Sequence, residues 1–111
     1  MGSTVIEIVQ YVDNKIIKGE KVTIYGLARR FGVSRRWIHV LFYQQFGLSP
    51  KEYISQKQFK YAQECYLEDN TLLIKQLHYK VGIRSRNNFS RLVKRYTQMA
   101  PRDYFTKGNK Y

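Results

Sequence analysis

Apolar residues recur along the chain at the three- and four-residue spacing of a helix buried on one side, and the polar residues between them break it into about seven segments. Val5, Ile8, Val9, Val12 and Ile16 form the first stripe, with Thr4 expected as cap, Glu7 three residues on as in a capping box, and Gly19 as stop. Met1-Gly2-Ser3 reads as a minimal start outside the fold. Ile24, Leu27, Ala28 and Phe31 form the second stripe, preceded by Thr23 as cap and closed by Gly32. Ser34 caps a third helix from Arg35, with Ile38, Leu41, Phe42 and Gln45 expected inward. Ser49-Pro50 is a start signal for a helix over Pro50–Leu67, apolar on more than one side and so gripped by material at both ends. Further helices are expected over Leu72–Val81, capped by Thr71, and over Arg86–Thr97, capped by Ser85, with a short turn from Pro101 to Phe105. The expected fold is all-α.

The last third repeats the first. LARRFGVSRRWIHVLF with GLSPKEY corresponds to LHYKVGIRSRNNFSRLV with QMAPRDY. Gly32 matches Gly82, Ile38 matches Phe89, Leu41 matches Leu92, Pro50 matches Pro101 and Tyr53 matches Tyr104, with Arg84 as one inserted residue. Each copy is a helix, a turn holding Gly, and a second helix with cations and hydrogen-bonders near its start, the helix-turn-helix pattern. Two copies in register are far more specific than one. The organisation expected is residues 4–49 as first helix plus first helix-turn-helix, 50–67 as linker helix, 71–106 as second helix-turn-helix and closing turn, and 107–111 as a basic tail.

Charge narrows the partners. Twenty Lys and Arg against eight Asp and Glu leave +12 on 111 residues, an excess that favours a polyanion, nucleic acid before an anionic membrane surface. No apolar run approaches the roughly 20 residues that span a bilayer, and no signal peptide opens the chain. The single Cys65 permits no internal disulfide or cysteine metal cluster, which fits a reducing cytoplasm, and reads as a small buried hydrophobe. Glu68 and Asp69 are adjacent on a helix and so point apart. With no paired carboxylates, nucleophile motif or phosphate loop, nothing supports an enzyme, a cofactor, a metal or a small-molecule ligand.

The text LARRFGVS at Leu27–Ser34, Tyr53-Ile54, GIRSRNNFSRLVK at Gly82–Lys94, and the closing Pro101 and Tyr104 resemble the DNA-binding domain of the AraC/XylS family of bacterial transcription regulators. The resemblance covers about Val5 to Phe105, and implies either a short stand-alone member of the MarA/SoxS type or the excised C-terminal part of a larger regulator. It implies a regulator, an activator touching RNA polymerase, bound as a monomer to double-stranded DNA in the bacterial cytoplasm. The chain departs from the family pattern at His78, where a small residue is usual, and at Val40, where many members carry Arg. Val93, Ile83 and Gln98 replace an aromatic, a Phe and a Gly. For His78 the expectation is a partly exposed ring that opens the helix crossing.

The helices starting at Arg35 and Arg86 are expected to enter two major grooves, roughly 34 Å apart if successive on one face. The linker of about 18 residues spans roughly 27 Å, the right scale for a spacer. Arg35, Arg36 and His39 of one helix and Arg86, Asn87 and Arg91 of the other are the candidate base readers, since Arg suits guanine and Asn adenine. Thr23, Lys51, Arg95 and Arg102 are the candidate phosphate contacts. For each single residue, base readout, phosphate contact and solvation stay open, because half or more of protein–DNA hydrogen bonds go to the backbone. Trp37 reads as a half-buried packing residue, and Tyr43 and Tyr53 as core residues before phosphate contacts. Two alternatives stand beside the sequence-specific regulator: a nonspecific nucleic-acid binder, and an adaptor or antagonist of transcription with a degenerate second helix-turn-helix.

Overall fold

The computed structural model describes residues 2–105, with side chains from Val5 onward; the expected basic tail lies outside them. Seven helices and no strands occur among the described residues: α1 (Gly2–Ile17), α2 (Ile24–Phe31), α3 (Arg35–Phe46), α4 (Pro50–Glu68), α5 (Ile74–Lys80), α6 (Arg86–Thr97) and α7 (Pro101–Tyr104). The elongated molecule measures 45 × 24 × 23 Å.

Capping chemistry sets most boundaries. The hydroxyls of Thr23, Ser34, Ser49 and Ser85 each accept from the backbone N–H three residues on, at 3.0–3.2 Å. Each thereby satisfies a donor that the first helical turn leaves without a partner. Two expected caps differ. α1 begins at Gly2, so Thr4 lies inside it and residues 2 and 3 belong to the helix. α5 begins at Ile74 rather than Leu72, because Thr71 turns back to Asp69, its N–H and hydroxyl both donating to that carboxylate. Those two bonds hold the Asp69 carboxyl below its usual range. The start of α5 is closed instead by Gln76, whose side-chain oxygen accepts from the Leu73 N–H at 2.7 Å.

Two apolar clusters flank α4. Ile8, Val12 and Ile16 of α1 meet Leu27 and Ala28 of α2 and Ile38 and Phe42 of α3 in the first. Leu77 and Val81 meet Phe89, Leu92 and Val93 of α6 and Phe105 in the second. α4 gives Tyr53 and Ile54 to the first and Phe59, Ala62, Cys65 and Tyr66 to the second, which is why it is apolar on several sides. Tyr61 packs against both.

The two turns share the backbone bond that closes the first helix of each unit. Val33 N–H donates to the Ala28 carbonyl at 3.0 Å, and Ile83 N–H to the His78 carbonyl at 2.9 Å. His78 does not open the crossing: it is 2% exposed, and its Nδ1 lies 2.7 Å from the Ile83 carbonyl. A carbonyl can only accept, so Nδ1 carries the proton. Side chain and main chain of His78 thus both bond Ile83, while its ring stacks on Tyr79, 4.7 Å between centroids. A buried polar ring is tolerable where it is hydrogen-bonded, and the second helix-turn-helix is regular. Gln45, expected inward, is exposed, and Phe46 stacks on Tyr53 at 4.6 Å instead.

Backbone contact joins the halves. Gly19, at φ +72°, and Gly82, at φ +83°, sit where the turn after α1 meets the turn after α5; a Cβ on Gly82 would lie 2.6 Å from the Glu20 carbonyl oxygen. α4 adds two bonds. Tyr61 donates its hydroxyl to the Ile17 carbonyl at 3.2 Å, and Gln58 donates its amide to the Val81 carbonyl at 3.1 Å.

Two substitutions follow from this backbone. Gly82→Ala should lower the unfolding free energy by at least about 2 kcal/mol in urea denaturation, because the methyl meets main chain and the φ is left-handed. Gln98, the counterpart of Gly47, takes the same left-handed conformation at φ +63°. Gln98→Gly should raise stability by about 1 kcal/mol, seen as a melting temperature several degrees higher.

Candidate nucleic-acid interface

α3 and α6 are each 12 residues long, each capped by a serine that follows a tight turn. At 3.6 residues per turn their buried residues define one side: Ile38 and Phe42 on α3, Phe89, Leu92 and Val93 on α6. Opposite them stand two ridges related by a shift of 51 positions. On α3 the ridge is Arg36, Val40 and Tyr43; on α6 it is Asn87, Arg91 and Lys94, all six exposed. Arg35 and Arg86 are exposed at the first turns beside them. His39 is half-buried on the flank of its ridge rather than on the crest. Trp37, 36% exposed, lines a shallow hollow between α1 and α3 together with Val5, Ile6 and Val40. Tyr53 is buried, whereas Tyr43 is a surface residue, contrary to the core role expected for it.

Between the two units lies an open cleft of about 890 Å³. Thr23, Lys51, Arg91 and Arg95, four of the ten candidate contacts named from the sequence, line it together with Lys21 and Arg84. No carboxylate is among its lining residues. The N-terminal turns of α2, α4 and α6 open toward it, through Thr23, Lys51, and Ser85 with Asn88, so partial positive charge from unpaired N–H groups adds to the side-chain cations. Arg102 stands apart, exposed on α7. Lys21 and Arg84 were missed in the sequence, although Arg84 is the residue by which the second turn exceeds the first.

Other cations are engaged elsewhere. Arg30 lies over the Tyr11 ring at 5.5 Å, Arg29 donates to the Tyr25 hydroxyl at 3.3 Å, and Lys57 lies over Tyr53 at 5.5 Å. Some of the cations thus contact aromatic side chains, while others line the cleft.

Two helix-turn-helix units, each with an outward second helix, on either side of a basic cleft define a nucleic-acid-binding class of fold. The family described as Helix-turn-helix domain matches residues 27–107. The chain belongs to that family, as an AraC-type DNA-binding domain. It is similar to the HTH-type transcriptional activator RhaS of Escherichia coli (strain SE11), 29% identical over 84 residues, 76% of this chain and 30% of that protein. The chain thus spans under a third of that relative's length. Its fold is similar to the C-terminal domain of the two-component response regulator yesN from Fusobacterium nucleatum, at TM-score 0.82 and 21% identity, covering 94% of this chain and 99% of that one. It is similar also to the DNA-binding domain of AdpA, a global transcriptional factor solved in complex with a target DNA, at TM-score 0.78 and 22% identity over 89% and 86% of the two chains. No helix among the described residues is long and apolar enough to cross a membrane.

Proposed function

We propose that the chain reads double-stranded DNA in a sequence-specific way as a monomer, α3 and α6 entering two major grooves and the cleft receiving the phosphate backbone between them. The observation that carries this is the pair of exposed ridges in matching register, one on the second helix of each unit, together with a cleft between the units lined by cations and no carboxylate. Major-groove edges distinguish all four base pairs, so two inserted helices give a bipartite site. The ridges differ, Arg36-Val40-Tyr43 against Asn87-Arg91-Lys94, so the two half-sites differ and the complex has a direction. Arg36 suits guanine and Asn87 suits adenine, while Arg91, which belongs to both the ridge and the cleft lining, can reach guanine from the cleft edge. Lys51, Arg95, Thr23 and the cleft residues Lys21 and Arg84 suit phosphate, and Arg102 extends that contact beyond the cleft. His39, on the flank, suits a phosphate better than a base. The AdpA domain of similar fold, bound to its target DNA, supports the same use of this one.

The regulatory role proposed is activation of transcription through contact with RNA polymerase, in the bacterial cytoplasm; similarity to an activator supports it. The regular second helix-turn-helix speaks against the adaptor reading, which requires a degenerate one.

Selection of bound duplexes from a random pool tests the reading: it should recover two dissimilar half-sites about one helical turn apart, and recovery of no common sequence would leave a nonspecific binder. On a recovered duplex, Arg36→Ala should cost about 1–3 kcal/mol and relax the base preference at one half-site only. Lys51→Ala should instead weaken all duplexes alike and reduce the slope of log affinity against log salt by about 1, read by titrating binding across salt concentrations.

A further inference from the structure

Val40 does not belong on a hydrogen-bonding surface. It sits on the crest of the α3 ridge, 43% exposed, one turn after Arg36 and one turn before Gln44. Residues four apart on a helix lie above one another, so Arg36 and Val40 face the same surface together. The register of the repeat places Val40 at the position of Arg91 on α6. The second unit therefore has a guanidinium where the first has two methyl groups and no polar atom.

An aliphatic side chain pressed against a polar base edge strips water from donors or acceptors without replacing their hydrogen bonds, which is unfavourable. Among the groups that base pairs show in the major groove, the one that projects as an apolar methyl is the C5-methyl of thymine. We propose that Val40 is a specificity residue that packs on the C5-methyl group of a thymine next to the base pair met by Arg36. This rests on the reading that α3 enters a major groove. It makes the α3 half-site a guanine beside a thymine, against adenine and guanine for the Asn87–Arg91 ridge. It also turns the loss of a polar side chain at position 40 into a rule of exclusion: a base pair presenting a polar edge there leaves that edge unsatisfied.

The experiment uses the full chain and a duplex recovered from the random pool. The α3 half-site is identified as the one where Arg36→Ala relaxes base preference. Each thymine in it is then replaced singly by deoxyuridine, which removes the methyl and leaves every hydrogen-bonding group in place. One replacement should weaken binding by the wild-type protein about three- to fivefold, as expected for one buried methyl group. In V40A that replacement should have little effect, while V40A keeps its helical spectrum and loses at most a few degrees of melting temperature, since Val40 is 43% exposed and only edges the hollow between α1 and α3. Equal binding to thymine and deoxyuridine throughout the half-site would overturn the proposal, as would undiminished sensitivity in V40A. If Arg36→Ala still relaxes one half-site in those cases, the groove reading stands without the methyl contact. If Arg36→Ala has no local effect either, both fall. The deoxyuridine scan on the unaltered protein is decisive even if V40A does not fold.

Discussion

Two turns of main chain touch where Gly19-Glu20 meets Tyr79–Gly82, and the mutual position of the two helix-turn-helix units depends on that contact. A helix of 19 residues is a spacer of about 28 Å, yet a helix fixes distance better than it fixes rotation. Here rotation is constrained from outside α4. The turn after α1 belongs to the first unit and the turn after α5 to the second, and they meet so closely that Gly82 has no room for a Cβ. Tyr61 and Gln58 then tie the middle of α4 to the ends of α1 and α5. The two units are held by a strut and by a direct seam beside it.

That seam gives the site its shape. The cleft runs between the units, lined by Gly82 and Ile83 on one side and Val22 and Thr23 on the other. Its cations come from five separate places in the chain: the connector before α2, the first turn of α4, the inserted residue of the second turn, and two positions of α6. Like charges brought together repel, so a cluster of this kind costs stability until an anion screens it. The dense aromatic and aliphatic cores on either side supply the offsetting apolar burial, with Phe42 and Phe89 almost wholly enclosed.

His78 and Gln98 show how the second unit keeps the geometry of the first with other residues. Ala28 lets α2 cross α3 by being small; His78 fills the equivalent place and makes the turn's second hydrogen bond with its own ring. Gln98 adopts the conformation that Gly47 adopts freely, at a local cost the surrounding packing of α6 and α7 bears. Equivalent backbones thus arise from unlike side chains when hydrogen bonding or neighbouring contacts replace what sterics gave.

Local chemistry made much of the fold legible in the residues alone. Thr23, Ser34, Ser49 and Ser85 announced four helix starts because capping acts over three residues, and the two Gly-centred turns and two Pro starts revealed the repeat. The outward placement of Arg36, Asn87 and Arg91 followed from helical period. What depended on distant partners was not legible. The burial of His78 needed the Ile83 carbonyl and the Phe89 ring; the shorter α5 needed Asp69 to draw Thr71 away; the half-burial of His39 and the exposure of Tyr43 depended on how far α3 sinks into its core. Above all, sequence periodicity orders residues around one helix but says nothing about two turns 60 residues apart. Only the packed structure brings Gly82 against Glu20, and with it Lys21, Lys51, Arg84, Arg91 and Arg95 to a single cleft.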